Sequence, residues 1–263
     1  MMKEKIFLYV NNTKTAAIPL SKKVKRSLIS AGYDVIDDVK DKVDIVIGFG
    51  GDGTLISWLS NNNYTNNSKY IGINCGTLGF LQDFDVMDVK EFVDNIQNYV
   101  EEHLSFADII INIDNNVYTY NALNEFVIKR LDDKALRVGV KVSDVLLENY
   151  VGTGLIFSTP TGSTARNLSS GGSIVCPGID SIQMTPIEPN RFIGALDKSI
   201  IFPKEVSITL FSNSNEEVKV LSDGGEVYTG KFDKITISLS DKQLIKLVDK
   251  KVNFFKKVGK KLI

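Results

Sequence analysis

At 263 residues, with 43% apolar and 24% charged side chains, the chain has the make-up of an ordinary soluble globular protein, long enough for one large domain or two moderate ones. Lysine plus arginine number 31 against 32 acids, a net charge of −1, which excludes broad binding to a nucleic-acid backbone because that needs a basic surplus. No apolar run approaches the ~18 residues of a membrane span, and MMKEKIFLYV is a charged start leading straight into a strand rather than a signal peptide.

Lys5–Val10 reads as a first strand, and Ile18–Ala31 carries Leu20, Val24, Leu28 and Ile29 at helical spacing before Gly32 closes it. Tyr33–Ile36 is a short second strand. The β-branched run Val43, Ile45, Val46, Ile47 is a buried third strand that empties into Gly48-Phe49-Gly50-Gly51-Asp52-Gly53-Thr54, after which Leu55–Leu59 is helical. The polar tract 61–68 reads as an exposed loop. Tyr70–Asn74 is another buried strand, ending in Cys75-Gly76-Thr77-Leu78-Gly79-Phe80-Leu81, and Val89–Val100 has a helical period. Strand alternating with helix over residues 1–100 implies an α/β domain, a parallel sheet flanked by helices.

From Ser105 the texture changes. Ile109–Asp114, Val117–Tyr120, Glu125–Lys129, Arg137–Val142, Val145–Leu147, Leu155–Ser158, Val206–Phe211, Val218–Leu221, Lys234–Leu239 and Leu244–Val248 are short β-rich runs, separated by turns such as Asp114-Asn115-Asn116 and Asp132-Asp133. Residues 101–250 therefore read as a mostly β second domain. Residues 251–263 form a tail, whose Val252, Phe254, Phe255 and Val258 suit docking better than its lysines suit a nucleic-acid arm.

Cys75 and Cys176 stand in unrelated contexts without metal-ligand spacing, so a reduced, cytoplasmic protein is the economical reading. The single histidine, His103, lies in Glu101-Glu102-His103 and reads as a surface residue. Histidine-based chemistry has no good candidate.

Three stretches carry chemistry. Gly48-x-Gly50-x-x-Gly53 between a strand and a helix brings backbone N–H groups close to phosphate. It formally satisfies the dinucleotide fingerprint, but it follows the third strand rather than the first, and the next strand ends Ile73-Asn74-Cys75 without the ribose-binding acid. No Lys-Ser/Thr follows the glycines, so it is no Walker A loop either. Its distinguishing residue is Asp52, a carboxylate that phosphate would repel unless a cation lies between them or the acid has a task. The second stretch is Ser158-Thr159-Pro160-Thr161-Gly162-Ser163-Thr164-Ala165 with Ser169-Ser170-Gly171-Gly172, whose hydroxyls at a helix start suit a phosphate or a sugar. A serine nucleophile lacks a histidine to activate it. The third is Asn124-Glu125, two polar residues that reach one ligand only at a strand end or bulge, because consecutive strand residues face opposite sides.

In this order, GGDGT, GINCGTLGFL (72–81), Asn124-Glu125 and TPTGSTA (159–165) resemble the NAD kinase family over nearly the whole chain, Gly171-Gly172 and Asp223-Gly224 included. GGDGT alone is shared with diacylglycerol- and sphingosine-type lipid kinases, which makes a lipid or other small-alcohol kinase the alternative. The resemblance implies an α/β N-terminal domain, a β-rich C-terminal domain binding NAD, and a tail returning to the first domain. It implies an enzyme that uses ATP or another phosphoryl donor with Mg²⁺, without a resident metal, and that forms a homodimer or homotetramer. Asp52 would bind the ribose and take the proton of the adenosine 2′-hydroxyl. Gly51 and Gly53 would let backbone approach the phosphates, and Asn124 and Glu125 would hold the dinucleotide by its ribose hydroxyls. Ser163, Thr164, Ala165 and Ser169 would line the pocket for base and sugar, with Asp223 also at the substrate.

Three positions depart from the family pattern. Thr153 stands where many members have aspartate, Arg166 where an aromatic usually follows Thr-Ala, and Glu188 where a small residue is usual. An Arg166–Glu188 pair across the pocket rim would match a new cation with a new anion. With so much departing at one end of NAD, a non-catalytic nucleotide sensor is a third reading, opposed by the retained Asp52.

Overall fold

The structure, a computed structural model, describes residues 4–38, 43–64, 67–76, 79–85, 88–132, 134–190, 196–212 and 216–262. Met1–Lys3 of the charged start, Thr65 and Asn66 of the polar tract, Thr77 and Leu78 of the 72–81 motif and Asp133 of a turn lie outside the described residues. The chain divides into two compact units, Met1–Leu104 with Leu244–Ile263, and Ser105–Gln243.

In the first unit β1 (Lys5–Val10), α1 (Ala17–Ser30), β2 (Asp34–Ile36), β3 (Ile45–Gly50), α2 (Asp52–Asn61), β4 (Lys69–Asn74) and α3 (Val89–Asn95) follow one another. The strands pair in parallel in the order β2-β1-β3-β4. All six residues of β3 are buried, as its unbroken apolar run demands for a central parallel strand. α1 buries Ala17, Ser21, Val24 and Leu28, a single stripe at spacings of three and four. Ala17, Val24 and Leu28 join Ile6, Ile47, Phe49, Ile71, Ile73, Phe92 and Val93 in one core, where each fully buried large side chain contributes roughly 1.5–3 kcal/mol.

Two expectations for this unit need adjusting. β3 does not end at the first glycine but runs through Gly48-Phe49-Gly50, because β1 and β4 both pair with it there. Those glycines are demanded by close approach: a Cβ on Gly48 would sit 1.8 Å from the Tyr70 hydroxyl, and one on Gly50 2.1 Å from Thr54 Oγ1. The helix expected over Val89–Val100 stops after a 3₁₀ turn at Ile96–Asn98. Tyr99 turns extended and packs its ring 4.6 Å from Phe84 and 6.0 Å from Phe92, donating its hydroxyl to the Phe92 carbonyl. Tertiary packing overrides the helical period there, and Val100 opens a strand.

Antiparallel pairing dominates the second stretch of the chain, which runs β5 (Val100–Ile113), β6 (Asn116–Ala122), β7 (Glu125–Arg130), β8 (Leu136–Val142), β9 (Val145–Ser158), α4 (Arg166–Ser169), β10 (Ser181–Pro189), β11 (Ile200–Pro203), β12 (Ile208–Ser212), β13 (Val218–Ser222), β14 (Gly225–Gly230) and β15 (Lys234–Val248). Where the sequence suggests two short strands, β9 is one long strand. Its first part pairs with β8 and its last part with β7 and β10, so the polar middle residues stay in a ladder. β15 likewise absorbs both Lys234–Leu239 and Leu244–Val248. β10 escapes a sequence reading because Pro186 and Pro189 interrupt it, as they would an ordinary interior strand. The core holds Phe126, Ile128, Val138, Tyr150, Leu155, Phe157, Met184, Ile208 and Ile235.

From Leu244 onward the chain belongs to the first unit, earlier than the boundary at 250 read from composition. Lys246 pairs with Tyr70 of β4, and its ammonium lies 2.8 Å from Asp83 and 2.9 Å from Glu102. Burial would lower its pKa, but the two carboxylates outweigh that and raise it. α5 (Phe254–Leu262) closes the chain.

Candidate active site

The candidate residues fall in both units. In the first, β3 delivers Gly50-Gly51 to the start of α2, and Asp52 occupies the helix's first turn, where the dipole favours an anion. A Cβ added to Gly51 or Gly53 would meet nothing within 4 Å, so packing does not require these glycines. The Asp52 carboxylate accepts N–H groups from Phe80 (2.8 Å) and Leu81 (2.9 Å), and a Cβ on Gly79 would sit 2.1 Å from its Oδ1. That geometry accounts for Gly79-Phe80-Leu81 in the motif at 72–81. Gln82, itself buried, donates to the Gly51 carbonyl (3.1 Å) and the Tyr70 hydroxyl (3.2 Å), tying the same loop to the glycine turn. The Lys261 ammonium stands 3.7 Å from Asp52 Oδ2.

In the second unit Glu125 opens β7 and Asn124 precedes it, so the pair stands at a strand end. Asp223 sits in the two-residue turn between β13 and β14, with φ of 48° at Asp223 and 88° at Gly224, the left-handed pair such a turn requires. Its carboxylate accepts the N–H groups of Leu123 (2.8 Å), Asn124 (2.7 Å) and Glu125 (3.2 Å). Asp223 thus holds the Asn124–Glu125 backbone in place.

The loop after β9 lies on the same backbone. Thr159 donates its hydroxyl to the Leu123 carbonyl (2.6 Å) and its N–H to that of Asn124 (2.9 Å), and a Cβ on Gly162 would sit 2.0 Å from the Asn124 oxygen. Ser163 is fully buried and its hydroxyl holds the loop, donating to Pro160 O (2.6 Å) and accepting from Val175 N (3.0 Å). Thr164 and Ala165 are half-buried, and Arg166 and Ser169 exposed. Asn167, absent from the sequence reading, is wholly buried and donates to Gln183 Oε1 (2.5 Å) while accepting from Thr185 (2.6 Å), fastening α4 to β10.

Glu125 is 5% exposed, and its Oε2 has no hydrogen-bond partner. Burial, reinforced by the Asp223 charge and only partly offset by Arg166, pushes its carboxyl from the ordinary 4.5 up to about 7. A buried acceptor without a donor costs about 1–3 kcal/mol.

Of the three departures, Thr153 and Glu188 meet: the threonine hydroxyl donates to Glu188 Oε2 at 2.7 Å. Glu188 adopts a φ of 45°, uncommon for a residue with a side chain. Among the described residues Arg166 and Glu188 form no ion pair; Arg166 instead acts electrostatically on Glu125. Of the glycines flanking Thr153, Gly152 admits Tyr150, whose hydroxyl donates to Gly154 O (2.7 Å) and Ile187 O (3.0 Å), and Gly154 lies against the Ile128 carbonyl oxygen, 2.7 Å from where its Cβ would be. His103 is exposed and lies 3.6 Å from Glu101, as a surface residue would.

Comparison with known proteins bears on the whole chain. The ATP-NAD kinase N-terminal domain matches residues 10–103 and the ATP-NAD kinase C-terminal domain residues 123–249. The chain is 34% identical to the NAD kinase of Finegoldia magna over 254 residues, covering 92% of each, and 36% identical to that of Streptococcus pyogenes over 198 residues, covering 72% and 71%. In fold it resembles the crystal structure of yeast NADH kinase complexed with NADH, with a TM-score of 0.88 at 20% identity over 99% of this chain and 87% of that one. It also resembles an NAD kinase from Archaeoglobus fulgidus in complex with ATP, with a TM-score of 0.76 at 22% identity over 98% and 99%. With both domains matched, and a relative 34% identical over 92% of the chain, the chain belongs to the NAD kinase family.

Proposed function

We propose that the chain phosphorylates the 2′-hydroxyl of the adenosine ribose of NAD, with ATP and Mg²⁺, to give NADP. The observation that carries this reading is Glu125, next to Asn124 in sequence, a buried carboxylate whose Oε2 has no hydrogen-bond partner, on a backbone clamped by Asp223 and Thr159. Hydroxyl donors of a ribose are what such an acceptor lacks. Thr164, Ala165 and Ser169, less buried than Ser163, serve base and sugar.

Asp52 is the base. Phosphoryl transfer asks little covalent help of a protein, so positioning and a proton acceptor dominate. With its carboxylate oriented by the Phe80 and Leu81 amides, Asp52 aligns the hydroxyl and takes its proton as the bond to phosphorus forms. Gly51 and Gly53 leave backbone bare for phosphate oxygens.

Among the described residues no three His, Cys, Asp or Glu side chains cluster as a metal site. Mg²⁺ carried by nucleotide phosphates needs at most one or two protein carboxylates, which this donor set can provide. Its chemistry is neutralisation of the phosphate charge. Half-buried Cys75 and Cys176, neither in a disulfide, support a reducing cytoplasmic setting. The exposed apolar run Val145, Leu146, Leu147 supports assembly into a homodimer or homotetramer. The test is incubation with NAD, ATP and Mg²⁺. NADP is the expected product, and its absence with a folded protein would overturn the reading; NADH and polyphosphate in place of NAD and ATP define acceptor and donor.

A further inference from the structure

Three lysines of the chain's last stretch reach the loop that holds Asp52, and they do so differently. Lys246 is buried between Asp83 and Glu102. Lys257 is nearly buried, pairs with Asp83, and donates to the Phe80 carbonyl at 2.8 Å. Their charges are consumed within the protein.

Lys261 is not used this way. Its Nζ lies 4.7 Å over the Phe80 ring and 3.7 Å from Asp52 Oδ2, with 36% of the side chain exposed. That separation is too long for a hydrogen bond, and the Asp52 oxygens already accept the Phe80 and Leu81 amides. The ammonium is therefore placed without its three donors being taken up by the carboxylate. Its support is firm: Phe80 stacks on Phe254 at 6.0 Å, its N–H is on Asp52 and its carbonyl on Lys257. One helix, α5, thus sets both the loop and the cation beside the glycine turn. An acid in a phosphate-approaching loop needs a cation next to it, and Lys261 supplies one.

We propose that Lys261 is a contact for the phosphoryl donor, its ammonium lying between Asp52 and the terminal phosphates of a linear triphosphate. The proposal rests on the kinase reading. In the transfer, the bond from the terminal phosphorus to its bridging oxygen breaks and a bond to the ribose 2′-oxygen forms. The hydroxyl proton goes to Asp52, and Lys261 keeps its protons throughout, compensating charge and setting donor affinity. Inorganic tripolyphosphate and the triphosphate of ATP share this chemistry.

The test is calorimetric titration of the full chain with Mg-tripolyphosphate, Mg-ATP and NAD separately. Lys261→Met keeps the stem over Phe80 and deletes the charge; Lys261→Arg keeps the charge. We expect Lys261→Met to weaken both triphosphates about tenfold, the scale of one charge-assisted hydrogen bond. NAD binding should be unchanged and Lys261→Arg should restore triphosphate affinity. Wild-type affinity in Lys261→Met, an equal loss in Lys261→Arg, or no triphosphate binding by the wild type would overturn the proposal. Should Lys261→Met melt early by the fluorescence of Trp58, Lys261→Arg decides between charge and packing. Because binding is read rather than turnover, a protein that binds triphosphate through Lys261 yet makes no NADP would defeat the kinase reading alone.

Discussion

Asp83 in the first unit and Glu125 in the second are both acids withdrawn from water, and the protein treats them in opposite ways. The Asp83 side chain is 1% exposed and has two ammonium groups against it, from Lys246 and Lys257; its Oδ2, like Glu125 Oε2, has no hydrogen-bond partner, but the Lys246 ammonium lies 2.8 Å from it. Glu125 is 5% exposed, faces the like charge of Asp223, feels one distant cation in Arg166, and keeps an oxygen without a partner. Burial alone does not tell a structural acid from a functional one; its partners do. Where the charge is fully compensated, the group holds the fold together. Where it is left short, the fold has stored a desolvation cost that a ligand can relieve. Asp52 stands between these extremes, half-exposed, with its oxygens on two amides and a loosely placed lysine.

The largest effect should fall on Asp52. Asp52→Asn keeps the side chain's shape and removes the base, so turnover should drop by roughly 10²–10⁴-fold with the melting curve preserved. Near-normal NADP formation by that variant would remove Asp52 from the chemistry. Next comes the charge-compensated acid, Asp83. Asp83→Asn leaves Lys246 and Lys257 short of a partner and should destabilise the first unit by about 3–5 kcal/mol, the range for breaking a buried pair. Trp58 is the chain's only tryptophan and packs against Phe7 and Tyr9 in that unit, so its fluorescence reads the loss. A variant as stable as the parent would erase the contrast with Glu125.

Glu125→Gln should raise the KM for NAD about tenfold, since a charge-assisted hydrogen bond becomes a neutral one. It should also change the pH profile of stability. The Glu125 carboxyl is raised in the folded state, so the folded protein keeps a proton that the unfolded chain loses from about 4.5 upward. Its contribution is fully present below that pH and is lost as pH rises through about 7. Calorimetric melts between these limits should show a decline in the parent that the glutamine variant lacks; parallel curves would contradict the raised value. The smallest effect belongs to Thr153→Ala. Its exposed hydrogen bond to Glu188 should be worth under about 1 kcal/mol of stability. A larger loss, or a marked change in NAD affinity, would show that this departure from the family pattern bears on the substrate.

Much of the site is legible in the chain as written. Val43–Ile47 followed by GGDGT announces a strand, a bare turn and a helix start, because β-branched runs, glycine and a first-turn acid each act within a few residues. The order of the four motifs identifies the family without any coordinates. Other features are illegible for identifiable reasons. β10 hides behind two prolines, and the break at Tyr99 comes from rings of Phe84 and Phe92 that periodicity does not register. The Arg166–Glu188 pair looked reasonable as charge arithmetic, but Glu188 is turned by its left-handed backbone and taken by Thr153.

The sequence by itself determined the local conformations, the family and the residue types able to hold phosphate and ribose, since these depend on backbone preferences and side-chain chemistry over short stretches. Only the tertiary structure decided what each of those residues does. It set Asp223 under the Asn124–Glu125 backbone, buried the Ser163 hydroxyl inside its loop, denied Glu125 a partner, and brought Lys261 from the far end of the chain to Asp52. Charge and hydrogen-bonding roles follow from separations of a few ångströms and from the exclusion of water, and both are properties of the folded chain.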